Sequence, residues 1–139
     1  MKVFIDSNYF IALYNPADTL HEKAKQIARQ LLKDNPHTVI SNFVFLETVT
    51  VLSQKLGKNY PRAAGEKLLQ SSSFIVIDNQ LQQKSWEIFQ KTERKNISFV
   101  DCSTLAVMEF ENITSLVSFD KTDFKPLQKF HRFTFYNED

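Results

Sequence analysis

Four acidic residues occupy positions in the sequence from which carboxylates could hold a metal ion. Asp6 and Asp120 each follow a short apolar run typical of a buried strand. Glu47 and Asp101 lie near the start of stretches with helical periodicity. Gathered carboxylates repel one another unless a cation such as Mg²⁺ or Mn²⁺ neutralises them, and such ions activate water for phosphodiester hydrolysis. We therefore predict these four as catalytic, metal-binding residues, with the Ser7 hydroxyl placed to hold a carboxylate or a phosphate.

Each acid also has a structural interpretation. Asp6 could cap the helix that follows it, and Asp120 could be an ordinary turn residue. Asp101 could form a capping box with Ser98, three residues before it. Glu47 is harder to explain structurally, because it lies in an apolar run where a charge is costly without a partner.

Other chemistries have weaker support in the sequence. His21, His37 and His131 lack the spacing of metal ligands, and a metal-free nuclease would need two of them to meet in the fold. Cys102 is interpreted as a small buried hydrophobe, because no histidine lies near it in sequence. With only two glycines, the chain has no room for a phosphate-cradling glycine loop.

Alternating apolar runs and helical patterns predict an α/β fold. Strands are predicted at residues 3–5, 38–40, 74–77 and 115–119, with a possible last strand at 133–136. Helices are predicted at 42–56, from about Pro61, at 79–94 and at 98–111. A further helix contains the apolar positions between 24 and 32, with Thr19 and Glu22 forming a capping box at its start. This alternation predicts a mostly parallel sheet between helical layers.

Composition predicts one soluble domain over residues 1–139. The chain is 42% hydrophobic and 24% charged, which is the usual globular balance. No apolar stretch approaches the roughly 18 to 20 residues that cross a membrane, and Asp6 comes too early for a signal peptide. A single cysteine fits a reducing compartment. We therefore expect a cytoplasmic protein without a membrane partner.

Positive charge is concentrated locally, although the net charge is only +1. One basic segment spans residues 121–132 and another spans 55–67. Their predicted RNA-binding residues are Lys55, Lys58, Lys121, Lys125, Lys129 and Arg132. These segments could equally be solvated faces, which are common on soluble domains.

Four sequence blocks together resemble the PIN-domain family, and within it the VapC-type toxins of prokaryotic toxin–antitoxin pairs. The first block is Phe4-Ile5-Asp6-Ser7-Asn8, followed by Ala12-Leu13-Tyr14-Asn15 with Asp18, His21 and Ala24. The other three are Val39-Ile40-Ser41 with Leu46-Glu47-Thr48, Phe99-Val100-Asp101-Cys102-Ser103 with Ala106-Val107-Met108, and Ser118-Phe119-Asp120 with Asp123-Phe124. One block alone has little specificity. Four in this order cover nearly the whole chain.

The resemblance implies a PIN-like three-layer α/β/α sandwich and Mg²⁺- or Mn²⁺-dependent endonucleolytic cleavage of RNA. It also implies a homodimer and inhibition by a cognate antitoxin. By position, the four acids match the family's metal-site acids, with Ser7 and Ser103 in support. The loop after Asp120 is one residue longer than is usual in the family and lacks a common glycine, which leaves the role of Asp123 as a further ligand open. The alternative is a non-catalytic PIN-like module that binds RNA or protein, although such modules usually lose one or more acids.

Overall fold

Five strands form one parallel sheet in the computed structural model, which describes residues 1–71 and 73–136. The strands are β1 (Lys2–Ile5), β2 (His37–Ser41), β3 (Ser73–Ile75), β4 (Ser115–Val117) and β5 (Thr134–Phe135). Their order is β3-β2-β1-β4-β5, and all four pairings are parallel. Phe4 of β1 lies opposite Val39 of β2 and Leu116 of β4, and all three side chains are buried. The predicted parallel sheet is confirmed.

Helices connect these strands and have bounds close to those predicted. They are α1 (Ser7–Tyr14), α2 (His21–Asp34), α3 (Asn42–Leu56), α4 (Asn59–Ser71), α5 (Asn79–Lys91), α6 (Phe99–Phe110) and the single turn α7 (Lys121–Phe124), which continues into a 3-10 turn at Lys125–Lys129. Helix α3 ends at Gly57, whose φ of 77° is in the region that favours glycine. Pro61 lies in the first turn of α4, where proline is tolerated.

The predicted capping box at the start of α2 is wrong. Helix α2 begins at His21, and the residue at its N-cap position is Leu20, which makes no side-chain capping bond. The carboxylate of Asp18 instead accepts a hydrogen bond of 2.8 Å from the backbone N–H of Leu20. An Asx turn therefore competes successfully with the box that Thr19 and Glu22 would have made.

Two strands are shorter than predicted. Strand β3 ends at Ile75, and the next residue, Val76, is 61% exposed. Strand β4 ends at Val117, because the side chain of Asn8 accepts a hydrogen bond from the backbone N–H of Phe119. In both strands the apolar residues of the sequence continue beyond the last residue that pairs with a neighbouring strand.

The strand order puts a topological switch point at the carboxyl ends of β1 and β4. From β1 the chain proceeds to β2 and β3 on one side, and it later returns to place β4 and β5 on the other side. Ligands of open α/β sheets bind at such a point. Helix α6 is buried continuously from Cys102 to Met108 and supplies much of the core. In the described residues, no helix has the length and apolar character needed to span a membrane.

Candidate active site

Asp6 lies at the switch point as a buried carboxylate that also caps a helix. Asp6 is only 4% exposed. Its backbone N–H donates to the carbonyl of Val117 over 2.9 Å, which extends the β1–β4 ladder by one residue. Its Oδ1 accepts a hydrogen bond of 2.8 Å from the N–H of Ser7 at the start of α1. The capping interpretation of Asp6 therefore holds, and it does not exclude a role in a metal site.

Two residues that the sequence analysis did not single out position Asp6. The hydroxyl of Ser118 donates to Asp6 Oδ2 over 2.9 Å and accepts bonds of 3.1 Å from Asn8 Nδ2 and from the backbone N–H of Asp120. Asn8 also accepts from the N–H of Phe119. The signal available in the sequence was that Asn8 and Ser118 each lie two residues from a predicted site acid.

Glu47 lies in the second turn of α3, and its charge raises the pKa of Asp6. The hydroxyl of Ser7 donates to Glu47 Oε1, so this serine holds a carboxylate. Glu47 itself is partly exposed, and its neighbour Leu46 is 65% exposed. The apolar run around Glu47 is therefore partly surface, which removes the argument that its charge is buried without a partner.

Asp101 forms the capping box that the sequence left open, and it also interacts with the other acids. Its backbone N–H donates to Ser98 Oγ over 3.1 Å, and its Oδ2 accepts a bond of 3.0 Å from the Ser98 N–H. Burial raises the pKa of the Asp101 carboxyl to about 6, against the lowering effect of hydrogen bonds to the carboxyl from the backbone and the side chain of Ser98. The charges of Asp120 and Asp123 raise this pKa further.

The pKa of Asp6 reflects both its burial and the charges of neighbouring acids. Burial raises it to about 7, and the charges of Asp101 and, to a smaller extent, Glu47 raise it further. Hydrogen bonds from Ser118 and Ser7 lower it. Together with the effects on Asp101, this links all five acids into one electrostatically coupled cluster, which we call the acid cluster: Asp6, Glu47, Asp101, Asp120 and Asp123.

The last two members of the acid cluster lie on the loop that follows β4. Asp120 is exposed and precedes α7, and Asp123 lies in the first turn of α7. The Asp123 carboxylate accepts a hydrogen bond from the side chain of Asn96, which was not predicted. The charge of Asp123 raises the pKa of Asp101, so the longer loop still places Asp123 near Asp101.

The donor set of the acid cluster fits a hard divalent ion. All its donors are carboxylate oxygens. Asp101 and Glu47 raise the pKa of Asp6, and Asp120 and Asp123 raise that of Asp101, as expected where a cation would relieve repulsion. In residues 1–71 and 73–136, no three acidic, histidine or cysteine side chains converge tightly enough to hold one ion together. Mg²⁺ usually keeps several waters and binds one or two carboxylates directly, so pairs within the cluster suffice.

Several other candidate residues make their contacts outside the acid cluster or are buried beside it. Ser103 is buried and donates its hydroxyl to the Val100 carbonyl within α6 over 2.6 Å. Cys102 is fully buried, and burial raises the pKa of its thiol to about 11. His21 and His131 contact the carbonyls of Ala12 and Ile113, and His37 contacts Ser73. These contacts lie at separate places in the fold, so the described histidines do not form a catalytic pair.

The predicted basic residues divide between two regions. Lys55 and Lys58 are exposed at the far end of α3 and the following loop, with Lys55 about 12 Å beyond Glu47 along the helix axis. Lys121 lies over the ring of Phe135, 5.7 Å from its centroid. Lys129 lines a cleft with Lys91 and Arg94, two cations that the sequence analysis missed because they are distant in sequence. Lys125 and Arg132 are exposed nearby along the chain.

Known proteins resemble this chain in both sequence and structure. The 23S rRNA-specific endonuclease VapC20 of Mycobacterium tuberculosis is 28% identical over 121 residues, which are 85% of this chain and 88% of that protein. The crystal structure of M. tuberculosis VapC20, described as a sarcin-ricin loop cleaving toxin, superposes with a TM-score of 0.79 over 90% of this chain and 94% of the other.

Two further structures share the fold at lower identity. A toxin–antitoxin complex from Klebsiella pneumoniae is 19% identical, with a TM-score of 0.64 over 88% of this chain and 90% of that one. VapBC2 from Rickettsia felis, bound to a DNA fragment from its promoter, is 18% identical, with a TM-score of 0.69 over 100% of both chains. The family model described as PIN domain matches residues 3–129, which is most of the sequence. The chain therefore belongs to the PIN-domain family.

Proposed function

We propose that this protein is a Mg²⁺- or Mn²⁺-dependent endoribonuclease, the toxin of a type II toxin–antitoxin pair, that acts in the cytoplasm on structured RNA such as ribosomal RNA. The observation that carries the proposal is the acid cluster at the carboxyl ends of β1 and β4, where the pKa of Asp6 is raised to about 7 and that of Asp101 to about 6. Similarity to a 23S rRNA-specific endonuclease supports the substrate class.

The chain's own residues prepare the site for an ion and a phosphate. Ser118 and the Ser7 N–H each bind one oxygen of Asp6 and fix the direction of its carboxylate. The Ser7 hydroxyl holds Glu47 in the same region. Asp6, Glu47, Asp101 and Asp120 are the proposed ligands, and Asp123 is a further candidate. A bound divalent ion supplies Lewis acidity and activates water for attack on the phosphodiester.

Metal-dependent cleavage of RNA tests this proposal. Purified protein should cleave an RNA oligonucleotide in Mg²⁺ or Mn²⁺, stop in excess EDTA and recover when metal is restored, because the acids act through the ion. Undiminished cleavage in EDTA would revive a metal-free mechanism. RNA binding without cleavage in either metal would favour the non-catalytic module.

Asparagine substitutions separate catalysis from helix capping. Asn caps helices about as well as Asp at an N-cap position such as that of Asp6, and at position 101 its amide oxygen can still accept from the Ser98 N–H. Because Asn carries no charge, Asp6→Asn and Asp101→Asn should fold and yet lower cleavage at least about a hundredfold. Asp78→Asn is the matched control, because Asp78 caps α5 by accepting from the Leu81 N–H and lies outside the acid cluster. Equal losses in all three variants would show that capping, and not the acid cluster, explains the effect.

Membership of a toxin–antitoxin pair has its own test. The structural relatives include complexes with antitoxins, so we propose a cognate antitoxin for this chain, and a homodimer as its active form. Expression of this chain alone should arrest growth, and co-expression of a small protein encoded beside it should relieve the arrest. Growth arrest that persists with Asp6→Asn would count against ribonuclease toxicity.

A further inference from the structure

A cleft beside α5 is lined by side chains that suit a nucleobase. Three amides and two aromatic rings surround a volume of about 390 Å³: Asn79, Gln82, Gln83, Trp86 and Phe99. The four residues from α5 recur at helical i, i+3, i+4, i+7 spacing and therefore form one stripe of that helix. In the described part of the chain, the three amide side chains make no hydrogen bond, so their donors and acceptors are open to a ligand.

A row of aromatic rings connects this cleft to the acid cluster. Trp86 stacks on Phe89 at 5.7 Å between centroids, and Phe89 lies 5.9 Å from Phe99. Phe99 is 6.4 Å from Phe43, and it begins the helix whose third residue is Asp101. Phe43 and Glu47 line a common groove on α3. The cleft therefore adjoins the proposed cleavage site.

Trp86 is arranged to stack a planar ligand. One face of its indole is covered by Phe89 at an interplanar angle of 13°, and the residue is still 46% exposed. Burying the remaining area of a large aromatic ring is favourable, and every nucleobase offers a π face for it. Asparagine and glutamine amides are the side chains that pair bidentately with base edges, as with adenine N6 and N7. Among the described residues, the side chains that line the cleft include no cation, so the cleft suits a base better than a phosphate.

We propose that this cleft binds an unpaired nucleobase of the RNA substrate, with Trp86 as the stacking platform and the amides of Asn79, Gln82 and Gln83 reading the base edge. The proposal rests on the proposed ribonuclease function and adds a specificity site to it. Sequence-specific RNA recognition depends on such splayed bases, because phosphate contacts position the backbone without reading its sequence.

Fluorescence of the protein reports directly on this cleft, because Trp86 is the only tryptophan in the chain. The cleavage-deficient Asp6→Asn protein is titrated in Mg²⁺ with a single-stranded RNA and with an abasic oligonucleotide of the same length. Saturable quenching by the RNA and not by the abasic chain is expected. Equal quenching by both, or binding seen by anisotropy without quenching, overturns the proposal. So does a change in Trp86 emission on diluting the protein alone, which would mean that a second copy covers the cleft.

Kinetics of Trp86 variants give an independent test. Trp86→Ala should raise KM for RNA cleavage about tenfold with little change in kcat, because base stacking is lost in the ground and transition states alike. Trp86→Phe should restore most of the affinity. Tyr60→Ala is the matched control, since Tyr60 is another exposed aromatic residue, 52% exposed, on α4 and outside this cleft. Unchanged KM in Trp86→Ala overturns the base site while metal-dependent cleavage stands, whereas wild-type protein that cleaves no RNA overturns the ribonuclease function itself.

Discussion

Asp6 combines two roles with different requirements. As a helix cap it needs only an acceptor for the Ser7 N–H, which a neutral side chain could supply. As a buried carboxylate beside Asp101 and Glu47 it is costly to ionise, which is why its pKa is about 7. An uncharged residue would cap α1 at lower cost. A carboxylate at this position therefore favours a role that needs charge.

The pH dependence of stability should reveal this cost. Because the pKa of Asp6 is raised from 3.8 in an unfolded chain to about 7, the folded state binds the extra proton. Its stabilising effect is fully present below about pH 4 and is lost as the pH rises through about 7. In EDTA at about pH 8, Asp6→Asn should therefore be more stable than wild type by roughly 2 to 4 kcal/mol. The difference should vanish near pH 4.

Urea denaturation of both proteins across this pH range measures the effect. Asp78→Asn serves as the control and should follow the wild-type pH profile, because it replaces a capping carboxylate outside the acid cluster. If Asp6→Asn is no more stable than wild type at about pH 8, the Asp6 carboxyl does not carry the proposed electrostatic cost.

The acids of the cluster and the Ser7 hydroxyl that holds Glu47 could be predicted from the sequence, but the support that Ser118 gives to Asp6 could not. Asp6 directly follows β1, and Asp120 lies shortly after the end of β4. Their positions could therefore be predicted from the local sequence pattern alone. Ser118 supports Asp6 only because β4 lies beside β1, a pairing between residues more than a hundred positions apart. Lys91 and Arg94 line a cleft with Lys129, and this grouping also depends on contacts between residues distant in sequence. Long-range pairing is not visible in a local pattern.

At the scale of elements, strong local signals predicted the helices and weak ones failed. Gly57 ends α3 as predicted, because only glycine adopts its positive φ easily. The Thr19–Glu22 capping box failed, because Asp18 offered the chain a competing turn. Strand β4 was predicted too long, because the Asn8 side chain replaces the ladder at Phe119. Element ends therefore depend on side chains from elsewhere in the fold.

The segment that contains α7 and the 3-10 turn should guide RNA towards the acid cluster. Carboxylates repel phosphate, so a protein of net charge +1 needs a local cationic surface to bind its substrate. Replacing Lys121, Lys125 and Lys129 with alanine should weaken RNA binding and reduce the salt slope by about 2, at roughly 0.7 per lost contact with a single strand. The preferred cleavage position should not change, because these contacts read no sequence.

A triple variant of matched charge controls this experiment. Lys23, Arg29 and Lys33 are exposed on α2, which ends at the amino-terminal edge of the sheet, so their replacement by alanine should leave the salt slope unchanged. Binding is measured by anisotropy at several salt concentrations. If the two triple variants behave alike, the segment from Lys121 to Lys129 is only a solvated face.

At the scale of the whole molecule, the sheet order explains why the site exists. The reversal between β1 and β4 opens the edge where Asp6 and Asp120 emerge, and α3 and α6 bring Glu47 and Asp101 to them. Repulsion among these carboxylates lowers the free energy of unfolding, and a bound divalent ion should raise it again by neutralising them. Metal binding and folding are therefore expected to be coupled through the acid cluster.

Thermal unfolding in Mg²⁺ tests that coupling. At about 100 times its Kd, an ion that binds only the folded state adds about 2.7 kcal/mol, which raises Tm by about 10 °C in a domain of this size. The rise should be larger at about pH 8 than at about pH 6, because protons compete with the ion where the pKa of Asp6 is about 7 and that of Asp101 is about 6. Sodium chloride at equal ionic strength should not reproduce it. A rise of the same size in Asp6→Asn, or one independent of pH, would place the ion elsewhere on the protein.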